Sequence, residues 1–194
     1  MNQLHFPHLH DVHLWEFLSR SRMSVIEIFF LYALPLSVIA PLMIYYAGTT
    51  YGGGLLPSLS NGQLQTIGVV FFLAETAMVF LVAGVIQRLA TVVDIAPSYA
   101  EAFKLAVVVP VPLWLAPLFL LIPSFTLNLA VGALAIAASG TLIFYAVPEI
   151  FKIEDKGRAI LLSGFVLFVG LVAWVALMFL TLLTWNAVTS TLVL

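Results

Sequence analysis

The chain contains no cysteine, which excludes a disulfide framework, a thiolate metal site and a cysteine nucleophile. Charge is almost as scarce. Only 8% of the residues are Asp, Glu, Lys or Arg, where a soluble domain carries roughly 25%. A net charge of −2 offers no basic surface, so no nucleic-acid partner is expected. Alternation of apolar and polar residues is missing as well, which argues against a membrane barrel. No G-x-S-x-G, H-E-x-x-H or Gly-Asp intramembrane protease motif occurs, and no glycine-rich phosphate loop follows a strand. A non-enzymatic protein is the expectation. Internal repeats and low-complexity tracts are also absent. The N-terminus is polar, and no small-residue cleavage site follows a short apolar core. The first span is therefore expected to act as its own uncleaved insertion signal.

What the chain has in abundance is apolar surface. Of its 194 residues, 63% are hydrophobic, more than one water-facing domain could hide. Lipid is the solvent that accepts such a composition. Five apolar runs, at about 26–47, 66–86, 99–121, 125–147 and 160–183, match the roughly 20 residues that cross a bilayer as helix. The expectation is an all-α membrane protein: a five-span helical bundle over 23–194, preceded by a cytoplasmic segment over 1–22.

Placing the charges orients the bundle. Arg20 and Arg22 precede the first span, Arg88 and Lys104 flank the connection between the second and third, and Lys152, Lys156 and Arg158 separate the fourth and fifth. These are all seven basic residues of the chain, and five spans put them on one side. Positive loops stay in the cytoplasm, so the N-terminus is expected inside and the C-terminus outside. The opposite side receives 48–65, a turn at 122–124 and the tail from 184, none of them charged.

The segments between spans carry local signals. From Leu9 to Arg20, Val12, Leu14, Trp15 and Leu18 share one helical face and His10, His13, Glu16 and Arg20 the other. This predicts a short interfacial helix anchored by Trp15. Ser98 and Glu101 form a capping box that starts the third span at Tyr99. The glycine-rich stretch 48–54 predicts a turn-rich segment without regular structure.

Three stretches together resemble a known family. In 33–53 a proline-bearing span runs into Gly48-Thr49-Thr50. In 96–117 a Pro-Ser opening leads through Ala102-Phe103 to a proline-broken span, and in 148–164 Pro148, Phe151 and Ile153 precede an acidic-basic turn. From about Ser24 to Leu177 the chain resembles the Yip (Ypt/Rab-interacting protein) domain family, in its bacterial inner-membrane branch. The resemblance implies five spans, a cytosolic N-terminus and a multi-pass protein of the bacterial inner membrane. Eukaryotic members associate with small GTPases and vesicle traffic, but the long cytosolic N-terminal region they carry has little counterpart in 1–22, so that role is not implied.

Few groups within the spans could do chemistry. Glu75 stands about halfway along the second span. A carboxyl at that depth costs several kcal/mol when charged, so it is expected to face the bundle interior, where such acids mark ion or proton paths; the alternative is a neutral acid that only bonds a neighbouring helix. Pro110, Pro112 and Pro117 break the third span, and Pro35 and Pro41 the first. Each removes a donor, freeing the carbonyls of Ala106, Val108, Leu113, Leu31 and Ser37. Kinked packing is the commoner use of such breaks, and ligand-coordinating carbonyls the rarer one. A protonated Glu75 near Pro110 and Pro112 could donate to the carbonyls of Ala106 and Val108.

Three further features are weighed the same way. His10 and His13 lie one helical turn apart, with Glu16 a turn further on and His8 and His5 ahead. Imidazoles and a carboxylate suit a divalent metal such as zinc or nickel, or a pH sensor, although such tracts are more often solvated tails. Lys152, Lys156 and Arg158 form a solvated cytoplasmic turn that could also hold anionic lipid headgroups. Ala133, Ala137 and Thr141 form a small-residue row, with Ser139 and Gly140 beside it, suited to intramolecular packing or to a homo-oligomer. Two classes of function follow: a small ion or solute transporter built around Glu75, or a non-catalytic membrane-organising or adaptor protein acting through its cytoplasmic face and membrane lipids.

Overall fold

The computed structural model describes residues 23–52 and 59–190. Every regular element among them is helical. We name them α1 (Val25–Tyr51), α2 (Asn61–Val92), α3 (Tyr99–Val108), α4 (Val111–Leu121), α5 (Phe125–Phe151) and α6 (Lys156–Ser190). Four are long and apolar enough to cross a membrane alone, and α3 with α4, bent by about 40°, makes a fifth. A bend of that size continues the chain in one general direction, as a broken span does, and does not reverse it.

Helix starts are fixed by side chains. Ser24 with Glu27, Ser60 with Gln63 and Ser98 with Glu101 each form a complete capping box. In the last, the Glu101 amide donates to Ser98 Oγ at 3.3 Å and the Ser98 amide to Glu101 Oε2 at 2.8 Å. Each pair satisfies amides that a helix leaves without partners. Ser124 Oγ caps α5 alone, and Asp155 accepts from the Arg158 amide at 2.8 Å to open α6. These caps carry helices beyond their apolar cores. At about 1.5 Å per residue, the 32 residues of α2 exceed the roughly 30 Å hydrocarbon core.

Proline distorts α1 as well. Residues Phe29–Ala33 form a π-helical turn, in which the Leu34 amide donates to the Phe29 carbonyl. This turn directly precedes Pro35, whose missing donor breaks the regular ladder. Helix nevertheless continues through Gly48 to Tyr51, so the expected irregular stretch begins later than the glycines suggest. Gly48 is there for close approach: a Cβ at this position would lie 2.8 Å from Leu64 Cδ1, and Leu64 is buried.

The core centres on α3, where Ala102 through Val107 are all buried. Around it stand Val79, Ala83, Ile86 and Ala90 of α2, Ile143, Ala146 and Val147 of α5, and Leu162 and Val166 of α6. A helix buried on every side needs no amphipathic phase. Lys104 belongs to this run and is only 8% exposed, so it is part of the packed helix and not of the solvated connection.

Three contacts establish which ends lie together. Arg158 Nη2 stands 3.8 Å from Asp94 Oδ2, joining the α2–α3 and α5–α6 connections. At the opposite end the Tyr51 hydroxyl donates to the Leu121 carbonyl at 3.0 Å, and Gln63 Nε2 to the Val188 carbonyl at 2.9 Å. The basic connections thus share one end of the bundle, as the charge pattern predicts.

Candidate functional site

Along α2 the buried residues are Leu64, Ile67, Gly68, Phe71, Glu75, Val79, Ala83, Ile86 and Ala90. Their spacing of three or four residues draws one stripe down the helix. Glu75 occupies a position on that stripe that apolar residues otherwise fill, and it is 7% exposed. Its side chain is therefore turned into the bundle by the same periodicity that packs its neighbours.

The partner it meets is Trp114. The indole Nε1 donates to Glu75 Oε1 at 2.7 Å, across 39 positions of sequence. Trp114 is itself buried at 3%, in α4 just past the break. Pro110 adopts φ −80° and ψ 1°, outside the helical region, and Pro112 lies in the first turn of α4, where a missing N–H costs little. The Trp114 amide then donates to the Pro110 carbonyl at 2.9 Å, restarting the ladder. The carbonyls of Ala106 and Val108 do not partner Glu75. Its second oxygen, Oε2, has no hydrogen-bond partner within the protein.

Glu75, Pro110 and Trp114 share a cavity of about 380 Å3, to which all five spans contribute. Pro112 is not on its wall. Ser139 of α5 is, and it is 5% exposed with an Oγ that also lacks a partner. Asn128, a third polar lining residue, is already engaged, with Nδ2 donating to the carbonyls of Ile122 and Ser124. The wall is otherwise almost wholly apolar and includes Trp174. Ile136 and Leu171 line the cavity while remaining 36% and 43% exposed, so it opens sideways between α5 and α6.

A buried carboxyl oxygen and a buried hydroxyl left unpaired each cost free energy. Native proteins keep few such groups, and those they keep call for an explanation. Thr76 Oγ1 is a third such atom and lies off the cavity, whereas Glu75 and Ser139 both line one laterally open chamber. The wall combines a large apolar contact area with a few polar residues, a composition common in ligand pockets.

The other residues singled out from sequence are placed as follows. His8, His10, His13 and Glu16, together with the interfacial helix, lie outside the described residues. Among the described residues no group of three His, Asp or Glu side chains could hold a metal ion. Lys152, Lys156 and Arg158 are exposed around the α5–α6 turn. Lys152 ends α5 in the left-handed conformation at φ 52°, and only Arg158 reaches another connection. The row Ala133, Ala137 and Thr141 is exposed, while Ala135, Ser139 and Ile143 form the buried face of α5. That row does not pack the bundle internally. Trp114 had no sequence signal beyond its being an indole near the proline break, and Ser139 read only as a small residue.

The Yip1 domain profile matches residues 10–177. The chain is 28% identical over 151 residues to the inner membrane protein YohC of Escherichia coli strain K12, covering 75% of this chain and 77% of that protein. The same figures hold for the YohC of Escherichia coli O6:H1. No solved structure matches.

Proposed function

We propose, from the premise that this chain belongs to the Yip1 domain family and is an integral inner-membrane protein, that it acts as a small solute carrier with Glu75 as its intramembrane polar site. The observation that carries this reading is that two residues lining one cavity, Glu75 and Ser139, each keep a buried polar atom without a partner, Oε2 and Oγ. Acids in spans are expensive and tend to sit where they bind or conduct something. The lateral opening at Ile136 and Leu171 suits a solute that partitions into the bilayer and enters between α5 and α6. We place the end that carries Asp94 and Arg158 in the cytoplasm, because it gathers the basic connections.

The absence of cysteine from the chain makes a direct test available. Ser139→Cys should react in proteoliposomes with an N-alkyl maleimide that partitions into the bilayer, the route the lateral opening offers. No reaction in the folded protein, with normal reaction after denaturation, would overturn the carrier reading and favour the membrane-organising class.

A further inference from the structure

Gly132 of α5 and Gly170 of α6 both line the cavity, and a Cβ built on either would meet no atom within 4 Å. The space in front of them is open. Glycine weakens a helix relative to alanine, and here its effect is to widen the cavity. The wall is also long. It runs from Phe71 to Ile86 on α2, from Asn128 to Ile143 on α5 and from Val166 to Met178 on α6. At about 1.5 Å per residue these stretches cover ~22, ~22 and ~18 Å. A volume of about 380 Å3 drawn out over that length is a slot along the spans. One end is floored by Ile86, Leu105, Ile143 and Val166, all buried. The other reaches Leu120 and Asn128, within a turn of the α4 and α5 termini at the uncharged end of the bundle.

We propose that this slot holds one acyl chain of a phospholipid from the surrounding bilayer, with the methyl end on that floor and the headgroup at the uncharged end. The site needs nothing to cross the membrane, so it stands apart from the carrier reading.

The wall excludes the other occupants. A cavity keeps water only where about two to four polar partners face it. Glu75 Oε2 and Ser139 Oγ are buried away from the open space, Trp114 Nε1 is spent on Glu75, and Asn128 Nδ2 is spent on backbone carbonyls. A headgroup or a polar solute finds no better partners there than water does. Left empty, the wall would forgo the dispersion contacts that a filling group supplies. Hydrocarbon is available at the door. Ile136 and Leu171, at the lateral opening, belong to two helices long and apolar enough to cross a membrane, so the medium outside the opening is lipid chain. A chain that enters exchanges one apolar surrounding for another and gives up no hydrogen bond. The direction fits too, since acyl chains lie along the bilayer normal as the slot does. One leaflet supplies about 15 Å, half of the roughly 30 Å hydrocarbon core, and the slot exceeds that length.

The test reads lipid adducts by native mass spectrometry on the full chain, delipidated in dodecyl maltoside. The probes are lysophosphatidylcholines that carry a palmitoyl or a hexanoyl chain, at equal concentration. The wild-type protein should retain one palmitoyl lipid per chain after detergent is released, and no hexanoyl lipid. Palmitoyl lysophosphatidylglycerol should be retained as the choline lipid is. Gly132→Leu and Gly170→Leu extend a side chain into the slot and should lose the adduct. Gly164→Leu should keep it, because Gly164 is exposed, lies off the slot wall and also has no atom within 4 Å of an added Cβ. Leucine favours helix over glycine at all three positions, so none of the variants should unfold earlier in dodecyl sulfate. Retention of both chain lengths or of neither by the wild-type protein would overturn the proposal without recourse to any variant. So would retention that changes with the headgroup, or an adduct that survives in both slot-filling variants. A chain-dependent adduct with an unreactive Ser139→Cys would retain this site and remove the carrier. A reactive Ser139→Cys with no chain-dependent adduct would do the reverse.

Discussion

Replacing Glu75 by Leu and Trp114 by Phe, singly and together, measures the bond on which the site is built. The structure supplies the terms. Glu75→Leu leaves a buried indole N–H with no acceptor, because Oε1 is its partner at 2.7 Å. An orphaned buried donor costs about 1–3 kcal/mol. Trp114→Phe removes the donor and some ring volume, and leaves the carboxyl with no partner at all, since Oε2 has none. The double variant removes both groups, so the cycle subtracts the volume change and keeps the coupling. A bond to a charged group in a soluble protein contributes about 1.5–3 kcal/mol. Interhelical bonds in a bilayer average nearer 0.6 and reach about 1.7 kcal/mol, because separated helices find other partners. The expected coupling is therefore about 0.6–1.7 kcal/mol, with Glu75→Leu alone costing more and Glu75→Gln less than Glu75→Leu. The assay is unfolding by dodecyl sulfate from mixed micelles, followed by far-ultraviolet circular dichroism, which does not depend on the tryptophan removed. Additivity within the roughly 0.3–0.5 kcal/mol seen for independent sites would refute the claim that this pair holds α2 to α4.

Gly48→Val puts a branched side chain where even a Cβ lies 2.8 Å from Leu64 Cδ1, and should cost about 1–3 kcal/mol in the same unfolding assay. Asp94→Asn, which tolerates the left-handed backbone of that position (φ 57°), and Arg158→Ala should leave the unfolding midpoint unchanged, because both partners are exposed and exposed pairs contribute little. Reporter fusions after Pro97 should face the cytoplasm and those after Leu194 the opposite side; a cytoplasmic C-terminus would contradict the orientation argued from charge. Pro110→Ala should lower the coupling between positions 75 and 114, measured by repeating the double-variant cycle in that background.

The spans were legible because hydropathy alone marks what lipid will accept. Their ends were not, because caps and not hydropathy set them. Ser60 and Gln63 start α2 at Asn61, several residues before the apolar run. At the far end of α6, Thr189 and Ser190 turn their hydroxyls back to helix carbonyls, so helix persists into a segment that reads as a polar tail. Glu75 stood out as an acid in an apolar run. Trp114 did not, since its indole reads as one more apolar residue until an acceptor is placed beside it. The phase of α5 was illegible for a related reason. Lipid-facing and core-facing residues are equally apolar there, so no amphipathic pattern distinguishes Ala133 and Ala137 from Ala135 and Ser139. Only packing reveals that Ser139 is inside.

The break in the third span and the acid in the second depend on each other. Trp114 lies four residues beyond Pro110, about 6 Å along a helix at about 1.5 Å per residue. Turning that arm through 40° carries the indole sideways by about 4 Å relative to a straight span. Hydrogen bonds tolerate only a few tenths of an ångström, so a straight third span would leave Glu75 without its donor. A carboxyl at that depth with no partner is costly, and a proline-broken helix facing lipid would be costly too. Against the shared cavity each is accommodated by the other. Packing requirements explain Oε1 in this way. They do not explain Oε2 or Ser139 Oγ, which remain unpaired after the helices are in place. A bundle selected for stability alone would do better with a leucine at position 75 and a phenylalanine at 114, since well-packed apolar groups of similar volume commonly match or exceed a buried polar pair. That unpaired polarity is the part of the arrangement that helix packing leaves unexplained.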